Sequence, residues 1–227
     1  MRTLLFIAVA ALPALAASDQ LEKARDAQDR AALDRLAQQY SSAAESKAKD
    51  AAAQYDAALA YSYAAEVATE MKDKVAAKNA AEAGIKAAEK AVALNGNEAE
   101  YHRLLGNLCG QIIPANVLLA MKYGRCSMDE VNKAIQMNPK SPLGYLSRGV
   151  GNYYLPSSFG GGTEPAIKDF QKAIDIDPKL ADAHMWLGIA LRKAGRNADA
   201  YKALERAVQL NPKRVWAKQQ LAKTPQK

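Results

Sequence analysis

The chain has 227 residues, a formal net charge of +7, two histidines and two cysteines. That length suits one elongated domain with a core of its own, and two His with no third ligand at a suitable spacing exclude a zinc site. The charge is uneven: from Lys179 to Lys227 eleven Lys or Arg stand against three Asp or Glu. Such a basic segment reads either as a solvated face or as a surface for an acidic partner. Nucleic acid is not expected, because aromatics are not interleaved with the basic residues.

In chain order, MRTLLFIAVAALPALAASDQ carries one positive charge at Arg2, an apolar run from Leu4 to Leu12, and small residues at Ala14, Ala16 and Ala17. This three-part form predicts a secretory signal peptide over residues 1–17 and a periplasmic or secreted protein. No later run is long enough to span a bilayer, so no transmembrane segment is expected after signal removal. Residues 18–50 form a helical region whose narrow apolar stripe is Leu33, Leu36 and Tyr40. Residues 51–98 read as a helical hairpin, with Leu59-Ala60 and Tyr63 in its first half and Ala91 near its end. Residues 99–141 repeat the pattern through His102, Leu105-Gly106 and Cys109, then Ala134 and Pro139. An apolar insertion, QIIPANVLLAMKYGR, separates those halves; it either covers neighbouring helices or forms an exposed apolar lip.

Residues 142–180 place Tyr145 and Gly149 in one helix and Ala166, Phe170 and Ala173 in the next, before Pro178. Between them YYLPSSFGGGTEP is either a tightly packed loop or a cradle for an anion at a helix N-terminus, with Thr163 as cap and Pro165 in the first turn. The cleanest unit is residues 181–212: Leu187-Gly188, Gly195 at the turn, then Ala200, Leu204, Ala207 and Pro212. Small residues there let two antiparallel helices approach, the leucines form the seam, and Pro212 stops the second helix. Residues 213–227 give a capping helix, KRVWAKQQLAK, with Val215, Trp216 and Leu221 inward and Gln220 toward water, followed by a frayed tail from Thr224.

These spacings resemble the tetratricopeptide repeat (TPR) family, with Leu-Gly, Ala, a large apolar residue, Ala and Pro at fixed offsets. The resemblance implies an all-α array of helical hairpins, an α-solenoid. More loosely, YHRLLGNLCGQIIPANV and the FGGG insertion look like the T-component proteins of TRAP transporters. That likeness implies an accessory role in solute uptake, with an apolar ligand chamber and a solute-binding protein as partner.

No catalytic constellation, cofactor motif or metal set is present, so a non-catalytic protein is expected. His102 and His184 take a slot usually filled by packing residues, and the carboxylates read as solvated helix faces. Cys109 and Cys126 form a disulfide in an oxidising compartment or remain two buried thiols. By repeat position the concave groove would present Tyr61, then Arg103, Asn107 and Gln111, then Leu146, Val150, Tyr153 and Tyr154, and finally Met185, Ile189, Arg192 and Lys193. The expected partner is a peptide, helix or protein tail with apolar anchors and an acidic end, held by an interaction scaffold.

Overall fold

Helix formers separated by regular stops give eleven α-helices in a computed structural model, which describes residues 14–113 and 117–226. They are α1 (Ala14–Asp26), α2 (Arg30–Ser46), α3 (Ala51–Glu70), α4 (Lys74–Leu94), α5 (Ala99–Ile112), α6 (Val117–Met137), α7 (Pro142–Tyr154), α8 (Thr163–Ile176), α9 (Ala181–Lys193), α10 (Asn197–Leu210) and α11 (Val215–Ala222). A 3-10 turn, Ser157–Phe159, precedes α8. The fold is the all-α solenoid expected of the repeat. Most of the expected leader, residues 1–13, lies outside the described residues.

Local chemistry explains where the helices start. Asp29, Asp50 and Asp73 stand at the N-caps of α2, α3 and α4, and each side chain accepts from a backbone N–H of the first turn. Such a cap stabilises a helix by about 1 kcal/mol. The turns that close α1, α3 and α9 share one geometry. Gln28, Lys72 and Gly195 all have positive φ, at 53°, 64° and 79°. The following N–H of Asp29, Asp73 or Arg196 donates back to the carbonyl of Ala24, Ala68 or Leu191, the bond that ends a helix through a left-handed residue. The α1–α2 pair therefore turns as the regular unit does, although its sequence lacks the glycine. Only the glycine adopts that backbone freely, so Lys72→Gly is expected to raise stability by about 0.5–1 kcal/mol. A higher urea midpoint than that of Lys72→Ala supports this; a lower one contradicts it.

Each hairpin closes through small residues. A methyl group on Gly188 would sit 2.9 Å from the Ala200 carbonyl oxygen and 2.5 Å from Leu204 Cγ, so the α9–α10 crossing tolerates only hydrogen there. Cys109 of α5 and Cys126 of α6 are joined by a disulfide, with 6.0 Å between their Cα atoms. A second device recurs between units. His102 Nε2 lies 3.0 Å from Gly96 O, the Tyr145 hydroxyl donates to Pro139 O at 3.2 Å, and His184 Nε2 lies 3.0 Å from Pro178 O. The same slot thus ties each helix start to the carbonyl six residues back. Here the two histidines bond loops; only His102 is also buried, with Nδ1 2.5 Å from Glu130.

Among the described residues three larger apolar cores follow along the array, with a small fourth, Leu191, Ala200 and Ala203, within α9–α10. Leu21, Leu33 and Val67 anchor α1–α3; Ile85, Leu104, Leu108 and Ile112 anchor α3–α6; Phe170, Met185, Leu204 and Ala217 anchor α7–α11. The first helices of successive pairs, α3, α5, α7, α9 and α11, pack side by side. The second helices pack on their own partner and on the next first helix. That asymmetry curves the array and puts the first helices on its concave face.

Candidate interaction surface on the concave face

The inner helices are stitched together by polar side chains. Asn107 donates to Ser62 Oγ at 3.2 Å, Ser62 donates to Gln111 Oε1 at 3.3 Å, and Gln111 donates to Ser62 O at 3.1 Å. Arg103 donates to Glu100 and, at 3.0 Å, to Ser147 Oγ on α7. Of the expected groove residues, these three therefore stand where α3, α5 and α7 meet, with much of their hydrogen-bonding capacity spent. Tyr61 does not join them. It packs toward Gly84 of α4 and opens into a cleft of about 340 Å³ between α2 and α4, beside Gln54, Glu82 and Lys86. Its neighbour Ser62 takes the inner position instead.

Farther along, Leu146, Val150 and Tyr153 are half-buried against the α7–α11 core. Met185 and Ile189 are 1% and 5% exposed, so they belong to that core and not to a groove surface. The reason is the terminal helix: α9 has α7 on one side and α11 on the other. Arg192 is likewise committed, donating to Gln220 O, Gln220 Oε1 and Thr224 Oγ1. This corrects two further expectations, because Gln220 and Thr224 are buried and neither faces water as part of a frayed end.

What remains open is Tyr154, with Lys193 beside it. Tyr154 is 46% exposed. Tyr153, Tyr154 and Trp186 meet edge to face, with centroids 5.1, 5.7 and 6.1 Å apart, and Trp216 meets Trp186 at 5.3 Å. Lys193 lies over the Tyr153 ring at 4.2 Å and donates to Tyr153 O. Burial pushes the Tyr154 phenol up to about 12, followed by the influence of Tyr153 and of the Glu70 and Glu66 carboxylates of α3. Water reaches the ring, yet protein flanks it and α3 is near enough to be felt, as the wall of a concavity requires.

Across that concavity the two ends of the array touch. Arg214, at the N-cap of α11, has a side chain only 1% exposed. It donates to Glu66 at 2.8 Å, to both carboxylate oxygens of Glu70 and to the Arg25 carbonyl at 3.2 Å. Its Nε stands 3.7 Å from Asp26 and 3.8 Å from Asp182. Arg25 pairs with Asp26 and Asp182, both at 2.9 Å, and lies over the Tyr63 ring at 5.0 Å. Asn211 donates to Asp26 at 2.6 Å. The carboxylates thus respond in opposite directions. Burial, then Glu66, raise Glu70 to about 7 against the pull of Arg214. Burial also works against Asp182, but Arg25 and Arg214 outweigh it and hold that carboxyl below its ordinary range. The expectation of solvated carboxylates is therefore wrong for this group.

The two insertions are packed against the fold where described. Ile112, Leu119 and Tyr123 pack in or on the α3–α6 core; Val117, Leu118 and Met121 have side chains outside the described set. In the Gly-rich loop the N–H groups of Gly160, Gly161 and Gly162 donate to Ser157, Pro156 and Asn152 carbonyls. A side chain on Gly161 would collide with Leu155 O at 2.3 Å. These amides are spent, which favours the packed loop over an anion cradle. Gly162 takes the N-cap of α8, so Thr163 is the first helical residue and not the cap. Among the described residues no helix is long and apolar enough to cross a membrane.

Comparison with known proteins agrees with this architecture. TPR models match residues 160–195 and 181–214. A small glutamine-rich tetratricopeptide repeat-containing protein 2 of Mycosarcoma maydis is 33% identical over 103 residues, which are 45% of this chain and 28% of that protein. The chain thus spans well under half the length of that curated relative. Among solved structures, a thermophilic TPR protein of Thermus thermophilus superposes with a TM-score of 0.62 at 14% identity, covering 91% of this chain and 97% of that one. A crystal structure of MamA gives 0.44 at 20% identity, covering 85% and 95%. A third family model, described as regulator of microtubule dynamics protein 1-3, matches residues 14–155, most of the chain, and the protein belongs to that family, built as a TPR solenoid of the kind that serves protein–protein interaction.

Proposed function

We propose that the protein is a non-catalytic, exported adaptor that holds a peptide or helix of a protein partner on its concave face, with the Tyr154 ring as the anchor. The single observation that carries this reading is the exposed Tyr154 ring standing on Tyr153 and Trp186. Aromatic side chains on a rigid aromatic base are the usual energetic centres of interfaces. The Cys109–Cys126 bond supports an oxidising compartment, where such bonds persist. A solute-binding protein as partner rests on the sequence likeness to transporter components alone.

The test is affinity capture by the chain without its leader, comparing wild type with Tyr154→Ala and Lys193→Glu. Arg192 is unsuitable because it holds α11. Loss of Tyr154 is expected to weaken the partner about 30-fold, the effect of a hot-spot residue near 2 kcal/mol. A retained partner of unchanged affinity would refute the anchor. Family membership favours a second reading, in which the partner is a microtubule or a protein on one. Co-sedimentation with polymerised tubulin that Tyr154→Ala abolishes would select it over an exported partner.

A further inference from the structure

We propose that the junction between the chain ends is a proton-sensitive latch: Arg25 and Arg214 face Asp26, Glu66, Glu70 and Asp182, so the closed array is net acidic there, and gain or loss of one proton closes or releases α11 against α1 and α3. Two features make opening feasible. Among the described residues no apolar core contains residues of both the α1–α3 and the α9–α11 blocks; the described ties between the ends are polar. Each core lies within its own stretch of neighbouring helices, so the ends can part while each unit stays packed. In addition, Arg214 Nε is buried without a hydrogen-bond acceptor, held only by the two longer ion-pair contacts.

Glu70 is the group that takes the proton. Its side chain is 2% exposed, against 22% for Glu66 and 18% for Asp182. Gln28 of the α1–α2 turn and Arg214 of the α11 cap donate to it, Glu66 of α3 stands beside it, and Tyr154 of α7 is near enough to feel it; Arg25 and Asp26 of α1 and Asp182 of α9 stand around the same Arg214 side chain. A carboxyl raised to about 7 when closed, and ordinary near 4.5 when open, binds its proton more tightly in the closed form. Closure is therefore fully favoured at low pH, weakens as pH rises through that window, and is flat above it. Asp182 has the opposite sign: its contribution is lost only as pH falls below the usual aspartate range, which sets the acid limit.

The experiment measures the distance between spectroscopic labels carried by non-natural residues at the exposed positions Arg35 of α2 and Lys218 of α11, in the full chain with its disulfide intact. Between about pH 5.5 and about pH 8 the closed-to-open ratio of wild type is expected to fall by about 10- to 100-fold. Glu70→Gln should keep the short distance at both values. Arg214→Gln should populate the long distance at both; circular dichroism checks that it folds, and the Glu70→Gln comparison decides the matter if it does not. A wild-type distribution that ignores pH, or a Glu70→Gln chain that still follows it, overturns the latch. Partner binding does not enter this readout, so it fails or succeeds separately from the adaptor reading.

Discussion

Phe170→Ala is expected to cost about 3–5 kcal/mol, the range for removing a fully buried aromatic ring. Phe170 is 0% exposed and stands where three helices meet. A methyl group on Gly149 of α7 would lie 2.5 Å from Phe170 Cε1, and the ring stacks at 6.2 Å on Trp186 of α9. The space was made for the ring by deleting a side chain on the facing helix, so the two positions are coupled. Gly149→Ala alone should cost about 1–3 kcal/mol by overpacking. In the Phe170→Ala background the same change should cost much less, since its methyl then enters the vacated volume. Urea unfolding of the four chains measures the cycle. Additive effects would show that Gly149 is not shaped by Phe170. Trp186 underlies Tyr154, so the loss should also loosen the aromatic wall.

Removing the Cys109–Cys126 bond is the second large effect, at about 3 kcal/mol for a bond closing a loop of this length. The sequence separation is 17, and the loop contains the residues between α5 and α6. For a chain of this size that is a fall in Tm of roughly 6–12 °C. Cys109→Ala with Cys126→Ala should show it directly, and a reductant should bring wild type to nearly the same midpoint while leaving the double variant unmoved. Because repeat units contact mainly their neighbours, amide exchange should rise in α5 and α6 and much less in α10. A midpoint indifferent to reductant would mean that the bond contributes nothing to the fold.

The hairpins were legible because their rules are local. Leu187-Gly188, Ala200 and Leu204 can be read from spacing, and the structure sets a hypothetical Gly188 methyl 2.9 Å from the Ala200 carbonyl oxygen. The α1–α2 and α3–α4 turns are harder, since Gln28 and Lys72 occupy left-handed positions that Gly195 marks openly. Repeat position alone puts Met185, Ile189 and Arg192 in the groove; that rule assumes a following unit, whereas α11 covers α9 here. The Arg214 cluster left no trace in periodicity at all. Its bonds join residues 144 and 189 positions apart, brought together only by the curvature of the whole array. Acidic and basic residues on helices look solvated in sequence whether or not a distant segment covers them.

The most direct test of the adaptor account places a photo-crosslinking benzophenone amino acid at Tyr154, and in a second chain at Lys202 on the exposed face of α10. Both chains are irradiated in the native fraction that contains the protein. The account predicts a discrete partner adduct from position 154 and none from position 202. An adduct from 202 alone, or equal adducts from both, would contradict it.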